Sequence, residues 1–222
     1  MLSIILLAFN RPELTQQTIT SLQSTLAKSS IPHELIIVDN ASAPPTRHLL
    51  HSYQSRAKVS RLDRNQGVGH GKNIGVTAAK YDKLYISDND LYYFEGWLES
   101  IFRTHASFPE AKIIGAFRHP HHGLLHSHTR GSVAFEQSDQ QVGSSWFLTR
   151  DTWNTYGPLD TQLPIGSDDV RFCERVTIAG FWVGSISPHQ VFHCGATNSE
   201  GQWSPGGTEL IHTTPPKGVI IK

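Results

Sequence analysis

The chain has 222 residues, enough to bury one substantial core, and its 38% hydrophobic and 17% charged content excludes an extended disordered protein. Lys plus Arg number 19 and Asp plus Glu number 19, so no net field draws it to nucleic acid or anionic lipid. Two cysteines, Cys173 and Cys194, are too few for a disulfide framework and lack zinc-ribbon or redox-pair spacing, which fits a reducing cytoplasm.

Leu2 to Phe9 is apolar, lacks a basic leader and a small-residue cleavage site, and is too short to cross a bilayer; it reads as a buried first strand. Asn10-Arg11-Pro12-Glu13 carries a helix-start signature, with Asn10 as cap, Pro12 in the first turn and Glu13 reaching back. Leu14, Ile19, Leu22 and Leu26 recur at roughly helical spacing until Ser29-Ser30-Ile31-Pro32 breaks the pattern. Leu35-Ile36-Ile37-Val38 is a second strand ending in Asp39-Asn40. A Pro44-Pro45 turn then leads to a short helix from about Leu49 to Ser55, and Val59 to Leu62 is a third strand. The glycine-bearing segment Asn65 to Gly75 precedes a helix through Val76-Thr77-Ala78-Ala79 and a fourth strand, Leu84-Tyr85-Ile86. Alternating strands and helices predict a parallel sheet covered on both faces, with ligands at the carboxyl ends of its strands. Phe9-Asn10, Asp39-Asn40 and Asp88-Asn89-Asp90 should therefore fall along one edge.

Beyond Asp90 the spacing predicts a helix from Gly96 to about Ala106 and a strand from Ile113 to Phe117. A polar, His-rich stretch to about Gln141 follows. Short helices near Asp151 to Tyr156 and from Ser167-Asp168-Asp169 precede short strands at Phe181-Trp182-Val183 and Gln190-Val191-Phe192. Thr197 to Pro216, rich in Gly, Pro and Ser, reads as a loop or lid. No stretch approaches the roughly 20 apolar residues of a transmembrane helix, so no transmembrane segment is expected, and peripheral membrane contact stays open.

Asp88-Asn89-Asp90 sets two carboxylates two residues apart just after an apolar strand, where they can hold a hard cation such as Mn²⁺ or Mg²⁺ that also contacts substrate phosphates. In isolation a solvated turn explains the motif better. Gly67-Val68-Gly69-His70-Gly71-Lys72-Asn73 fits neither a dinucleotide fingerprint nor a P-loop, and implies a tight turn with close backbone approach. His119-Pro120-His121-His122, with His126 and His128, lacks the partners of a zinc site and reads as an exposed or acceptor-facing loop. Trp146, Trp153 and Trp182 suit a core, while Trp203 in the tail suits a lid contact.

Taken in order, Ile4 to Pro12, Ile36 to Ser42, Asn65-Gln66-Gly67 through Lys72-Asn73-Ile74-Gly75, and Tyr85 to Asp90 resemble the inverting glycosyltransferases of family 2. Gly157-Pro158-Leu159-Asp160, Asp168 to Arg175, Gly180 and His193 continue the likeness to about residue 195. The chain departs from that family in having Asp168 where Glu is usual, Lys72 where Arg is usual, and Asn89 between the aspartates.

The resemblance implies a GT-A α/β fold: a Rossmann-like, mostly parallel central sheet with helices on both faces and a C-terminal acceptor-side subregion. It implies one domain over 1–222, with a nucleotide-sugar half at 1–95, an acceptor half at 96–196, and a tail or lid at 197–222. The implied activity is metal-assisted transfer, with inversion, from a nucleotide-diphosphate sugar to a carbohydrate or other hydroxyl acceptor. UDP is the first expectation because Asp39 can accept a ring N–H. Phe9 and Asp39 would face the base, Asn10 and Arg11 would complete that donor edge, and Asn65, Lys72 and Asn73 would lie beside ribose or phosphates. Asp88 and Asp90 would hold the metal. His193 is a third ligand candidate, although a lone histidine after a strand reads equally as a packed residue. Asp169 takes the base position and Asp168 adjoins it, while a helix-start preference also explains this acidic pair. Sugar-1-phosphate nucleotidyltransfer would prefer a basic glycine loop after the first strand. A glycoside hydrolase leaves the nucleotide-type strand edge unexplained. A noncatalytic sugar- or nucleotide-binding module is the remaining alternative.

Overall fold

Seven consecutive buried residues form β1 (Leu2–Ala8), as a strand with both faces covered requires. The computed structural model describes residues 1–119, 122–162, 167–194 and 218–220. In chain order β1 is followed by α1 (Pro12–Leu26), β2 (His33–Asp39), α2 (Pro44–His51), β3 (Lys58–Arg61), α3 (Val68–Ala78) and β4 (Lys83–Asp88). The second half contributes β5 (Leu91–Tyr93), α4 (Trp97–Ser107), β6 (Ala111–Gly115), β7 (Leu124–Arg130), β8 (Val133–Ser138), β9 (Ser145–Thr149), α5 (Arg150–Tyr156), α6 (Asp168–Ile178), β10 (Trp182–Ser187) and β11 (Val191–His193).

Among the described residues the main sheet has nine strands in the order β3-β2-β1-β4-β9-β6-β10-β8-β7. Pairing is parallel from β3 to β4 and between β6 and β10, and antiparallel elsewhere, while β5 and β11 form a separate antiparallel ribbon. Side chains of β1 alternate: Leu2, Ile4, Leu6 and Ala8 join one core, and Ile5 and Leu7 join the clusters on the other face. Ala8 lies opposite Asp39 and Leu7 opposite Asp88. This register brings the three strand-end polar clusters to one edge, as the alternation predicts.

Three starts differ from expectation. Asn10 does not cap α1: both Asn10 and Arg11 hold positive φ, 54° and 55°, and Arg11 occupies the cap position without a side-chain cap bond. Asn10 instead accepts from Ala43 N–H at 2.8 Å and donates its own N–H to Ser42 Oγ at 3.0 Å, contacts that offset an unfavourable backbone. The Pro44-Pro45 pair opens α2 rather than preceding it, because a first helical turn tolerates proline's fixed φ and missing N–H. Helix α3 begins at Val68, not Val76, with the glycines inside it. A Cβ at Gly71 would sit 2.4 Å from Leu7 Cδ1, and one at Gly75 2.2 Å from Ile5 Cγ2. Close helix-on-sheet packing here overrides the low helical propensity of glycine.

Within the His-rich stretch, β7 and β8 form a hairpin at the sheet edge, and nearly every residue of β7 is exposed. A strand with two wet faces has no apolar alternation to read. The expected lid at 197–216, Trp203 within it, and Pro120 and His121 lie outside the described residues.

Candidate active site at the carboxyl ends of the strands

Strand β4 ends at Asp88 and β5 begins at Leu91, so the acidic motif is the turn between two strands. Asn89 faces back toward α1, donating from Nδ2 to Asn10 O at 3.0 Å and to Thr15 Oγ1 at 2.6 Å. That anchor ties the turn to the loop after β1. Arg11 Nη1 donates to Asp90 Oδ2 at 2.9 Å, His193 Nε2 lies 3.4 Å from Asp90 Oδ1, and Lys72 Nζ lies 3.0 Å from Asp88 Oδ1. His193 ends β11, and its ring stacks on Phe117 at 5.9 Å between centroids. Of the three metal candidates read from the sequence, His193 meets Asp90, while Asp88 is engaged by Lys72.

Burial penalises the charge on Asp90, yet His193, Arg11 and Lys72 outweigh it and hold the carboxyl below its ordinary range. Burial likewise pushes the His193 imidazole down, and Asp90 and Asp88 overcome it to leave the ring above its usual value. Nδ1 of His193 is buried without a hydrogen-bond partner, whereas the buried Oδ1 of Asp88 faces the Lys72 ammonium and the buried Oδ1 of Asp90 faces the His193 ring. Carboxylate oxygens at a strand end are the donor type that a hard divalent cation takes, and here Lys72, Arg11 and His193 neutralise them. Among the described residues no three His, Cys, Asp or Glu side chains form a ready cage, so a cation would share its coordination with the ligand.

On the donor side, Asp39 is only 2% exposed. Its Oδ1 accepts from Ser42 N–H at 2.8 Å and its Oδ2 pairs with Arg61 Nη1. Arg61 lies directly across the β2–β3 register from Asp39. Sequence reasoning missed it, although counting strand partners from Val38 could have found it. Phe9 and Asn10 are half-buried beside this edge. Buried Asn40 donates to Asn65 Oδ1 at 2.9 Å and to Gly67 O at 3.1 Å, so Asn65 helps shape the turn into α3.

Lys72 and Asn73, expected beside ribose or phosphates, spend their polar atoms within the protein. Lys72 is 3% exposed and donates to Gly143 O at 2.9 Å. Burial alone would lower its pKa, but Asp88, Asp168 and Asp169 outweigh it and hold the ammonium charged. Asn73 makes two bonds with the Leu159 backbone, donating at 2.9 Å and accepting at 3.0 Å.

Asp168 and Asp169 open α6 as its acidic first turn, the favoured place for negative charge. Asp169 Oδ2 accepts from Gly143 N–H at 2.9 Å, a partner the sequence did not point to. Asp168 is buried, and burial raises its pKa against the pull of Lys72. Of the histidines, His128 stacks on Trp182 at 4.2 Å and 16°, and Arg118 Nη1 donates to the His122 carbonyl at 2.8 Å. Trp146 and Trp153 are core residues.

Residues 3–154 match the family model described as Glycosyl transferase family 2. The chain belongs to that family. It is 25% identical over 117 residues to an uncharacterized glycosyltransferase, YfnE, of Bacillus subtilis, covering 52% of this chain and 29% of the relative. It is 27% identical over 117 residues to the hyaluronan synthase of Pasteurella multocida, covering 51% and 12%, and 32% identical over 73 residues to the succinoglycan biosynthesis protein ExoO of Rhizobium meliloti, covering 32% and 21%. The matched stretches thus span less than a third of these curated relatives. In fold, the chain resembles S. aureus TarS residues 1–349, with a TM-score of 0.63 at 18% identity over 86% of this chain and 59% of that one. The same TarS fragment, solved with UDP-GlcNAc, superposes with a TM-score of 0.62 at 17% identity, covering 86% and 57%. These likenesses establish the GT-A type α/β fold. No helix among the described residues is long and apolar enough to cross a membrane.

Proposed function

We propose that this chain transfers a sugar from a nucleoside diphosphate sugar, with UDP as the first candidate, to a carbohydrate or other hydroxyl acceptor, with inversion and with help from Mn²⁺ or Mg²⁺. The observation that carries the reading is the gathering of the Asp88 and Asp90 carboxylates at the end of β4, with a second acidic pair reached through buried Lys72. Family membership supports the reaction class, and TarS, a fold neighbour solved with UDP and with UDP-GlcNAc, supports the choice of donor class.

Inverting transfer needs charge relief on the departing diphosphate and proton removal from the attacking hydroxyl. Asp88 and Asp90, with His193 beside Asp90, would hold the divalent cation, which would supply Lewis-acid stabilisation of the leaving group. Arg11, which pairs with Asp90, would offer its guanidinium to the diphosphate. Asp169 takes the acceptor proton as base while the acceptor oxygen bonds to the anomeric carbon and the bond to the diphosphate breaks. Asp168, whose carboxyl pKa burial pushes up, adjoins it and orients the acceptor. Phe9 offers an aromatic face to the base. Asp39 retains acceptor capacity for a ring N–H beyond its bonds to Ser42 and Arg61. Asn10 and Asn65 frame this donor edge, 1–95 forms the donor half and 96–196 the acceptor half.

Calorimetry with UDP, with and without Mn²⁺, followed by a donor-hydrolysis assay, tests this reading. Asp90→Ala should abolish the Mn²⁺ dependence of UDP binding. Asp169→Asn should lower turnover about 100-fold or more while UDP affinity holds. Normal turnover in Asp169→Asn removes that residue as the base, and UDP binding with no turnover in the wild type would make the chain a binding module.

A further inference from the structure

We propose that Lys72 is a positioning residue for the acceptor-side base, acting through the backbone of Gly143; the inference rests on the reading of Asp169 as that base. The Lys72 ammonium donates to the Gly143 carbonyl at 2.9 Å, and the N–H on the other side of the same α-carbon donates to Asp169 Oδ2 at 2.9 Å. Lys72 also lies 3.0 Å from Asp88 Oδ1, and Asp88 N–H donates to Ser144 O at 3.2 Å, which ties the next residue to the end of β4. One short backbone segment therefore joins the acidic strand end to the base.

A side chain at Gly143 would be tight against Asp169. A Cβ there would stand 3.0 Å from Asp169 Cβ, 3.3 Å from Asp169 Oδ2 and 3.4 Å from Lys72 Nζ. A side chain there asks Asp169 to give by a few tenths of an ångström, enough to disturb its aim. The second oxygen of Asp169 accepts from its neighbour Val170 N–H at 2.8 Å, so Gly143 is the contact that aims the carboxylate from outside its own helix. At 3% exposure the ammonium is committed to these partners rather than presented to a diphosphate. Helix α3 supports the same boundary twice more: Asn73 bonds the Leu159 backbone, and a Cβ at Gly69 would meet Asp168 Oδ2 at 3.3 Å. The helix expected to line the donor phosphates thus sets the acceptor side.

The test compares Lys72→Met, Lys72→Arg and Gly143→Ala with wild type. It uses whichever of UDP-glucose, UDP-galactose and UDP-N-acetylglucosamine the wild type hydrolyses fastest with Mn²⁺, with UDP affinity and melting temperature measured alongside. Lys72→Met and Gly143→Ala should lose about 30-fold or more of kcat while UDP Kd stays within about threefold, and Lys72→Arg, which keeps the charge, should recover most of the loss. UDP affinity falling in step with kcat in Lys72→Met would return Lys72 to the donor site and overturn the proposal. So would full turnover in Gly143→Ala, which keeps the ion pair and decides alone if Lys72→Met fails to fold. A wild type that hydrolyses none of these donors contradicts the proposed function instead. In that event a crystal structure of Lys72→Met decides the link: Asp169 leaving the Gly143 N–H supports it, and Asp169 unmoved refutes it.

Discussion

Glu136 on β8 accepts from Arg118 Nε at 3.2 Å and lies 3.3 Å from His189 Nε2. The hydrogen bond with His189, with Arg118 beside it, outweighs burial and holds the carboxyl down at about 2. Because its pKa is depressed on folding, its contribution is present above the ordinary carboxylate range and is lost as pH falls toward 2. Allowing for partial solvent screening, that contribution is on the order of 2 kcal/mol. Urea unfolding of wild type and Glu136→Gln should therefore converge as pH drops from about 4.5 toward 2, and parallel curves would remove the pair from the stability account. Arg118 also holds the His122 carbonyl, so this buried brace fixes the base of the β7–β8 hairpin. Cys173 illustrates the opposite effect of burial: its thiol, fully buried in the core, is pushed up to about 12. It should resist iodoacetamide at pH 8 in the folded protein and react on unfolding, and rapid native labelling at Cys173 by peptide mapping would contradict its burial.

Among the elements, α3 shows where residue patterns mislead. Gly67 through Gly75 looks like a loop by propensity, yet Gly71 and Gly75 are the residues that let the helix lie against Leu7 and Ile5 of β1. Gly75→Val should destabilise the protein by about 1–3 kcal/mol in urea unfolding, since its branches would enter space held by Ile5 and Val38. No loss of stability would mean that the helix can shift off the sheet at little cost. Strands β1, β2 and β4 were legible because each carries a run of apolar residues followed by polar ones, the mark of a strand buried on both faces, whereas β3 is short and half-exposed. The partners of β4 beyond them were not. β9 inserts antiparallel between β4 and β6 from far along the chain, a pairing that local pattern cannot convey. β7 lacks any apolar face to betray it.

At the level of the whole molecule, the parallel half brings Phe9, Asp39 and Asp88 to one edge, and the second half returns β11 and α6 to that edge with His193 and Asp169. The motif residues were readable singly because strand ends and helix starts are sequence-local. Their connections through Arg61 and Gly143 depend on contacts distant in the chain, and emerged only in three dimensions. The central claim is that the edge binds a divalent cation and a nucleoside diphosphate together. The most direct test is anomalous diffraction at the manganese edge from a crystal grown with Mn²⁺ and UDP. The account predicts a peak bridging Asp88 and Asp90 to the diphosphate, with Arg11 drawn off Asp90; both carboxylates still paired to Arg11 and Lys72, with the metal elsewhere or absent, would contradict it.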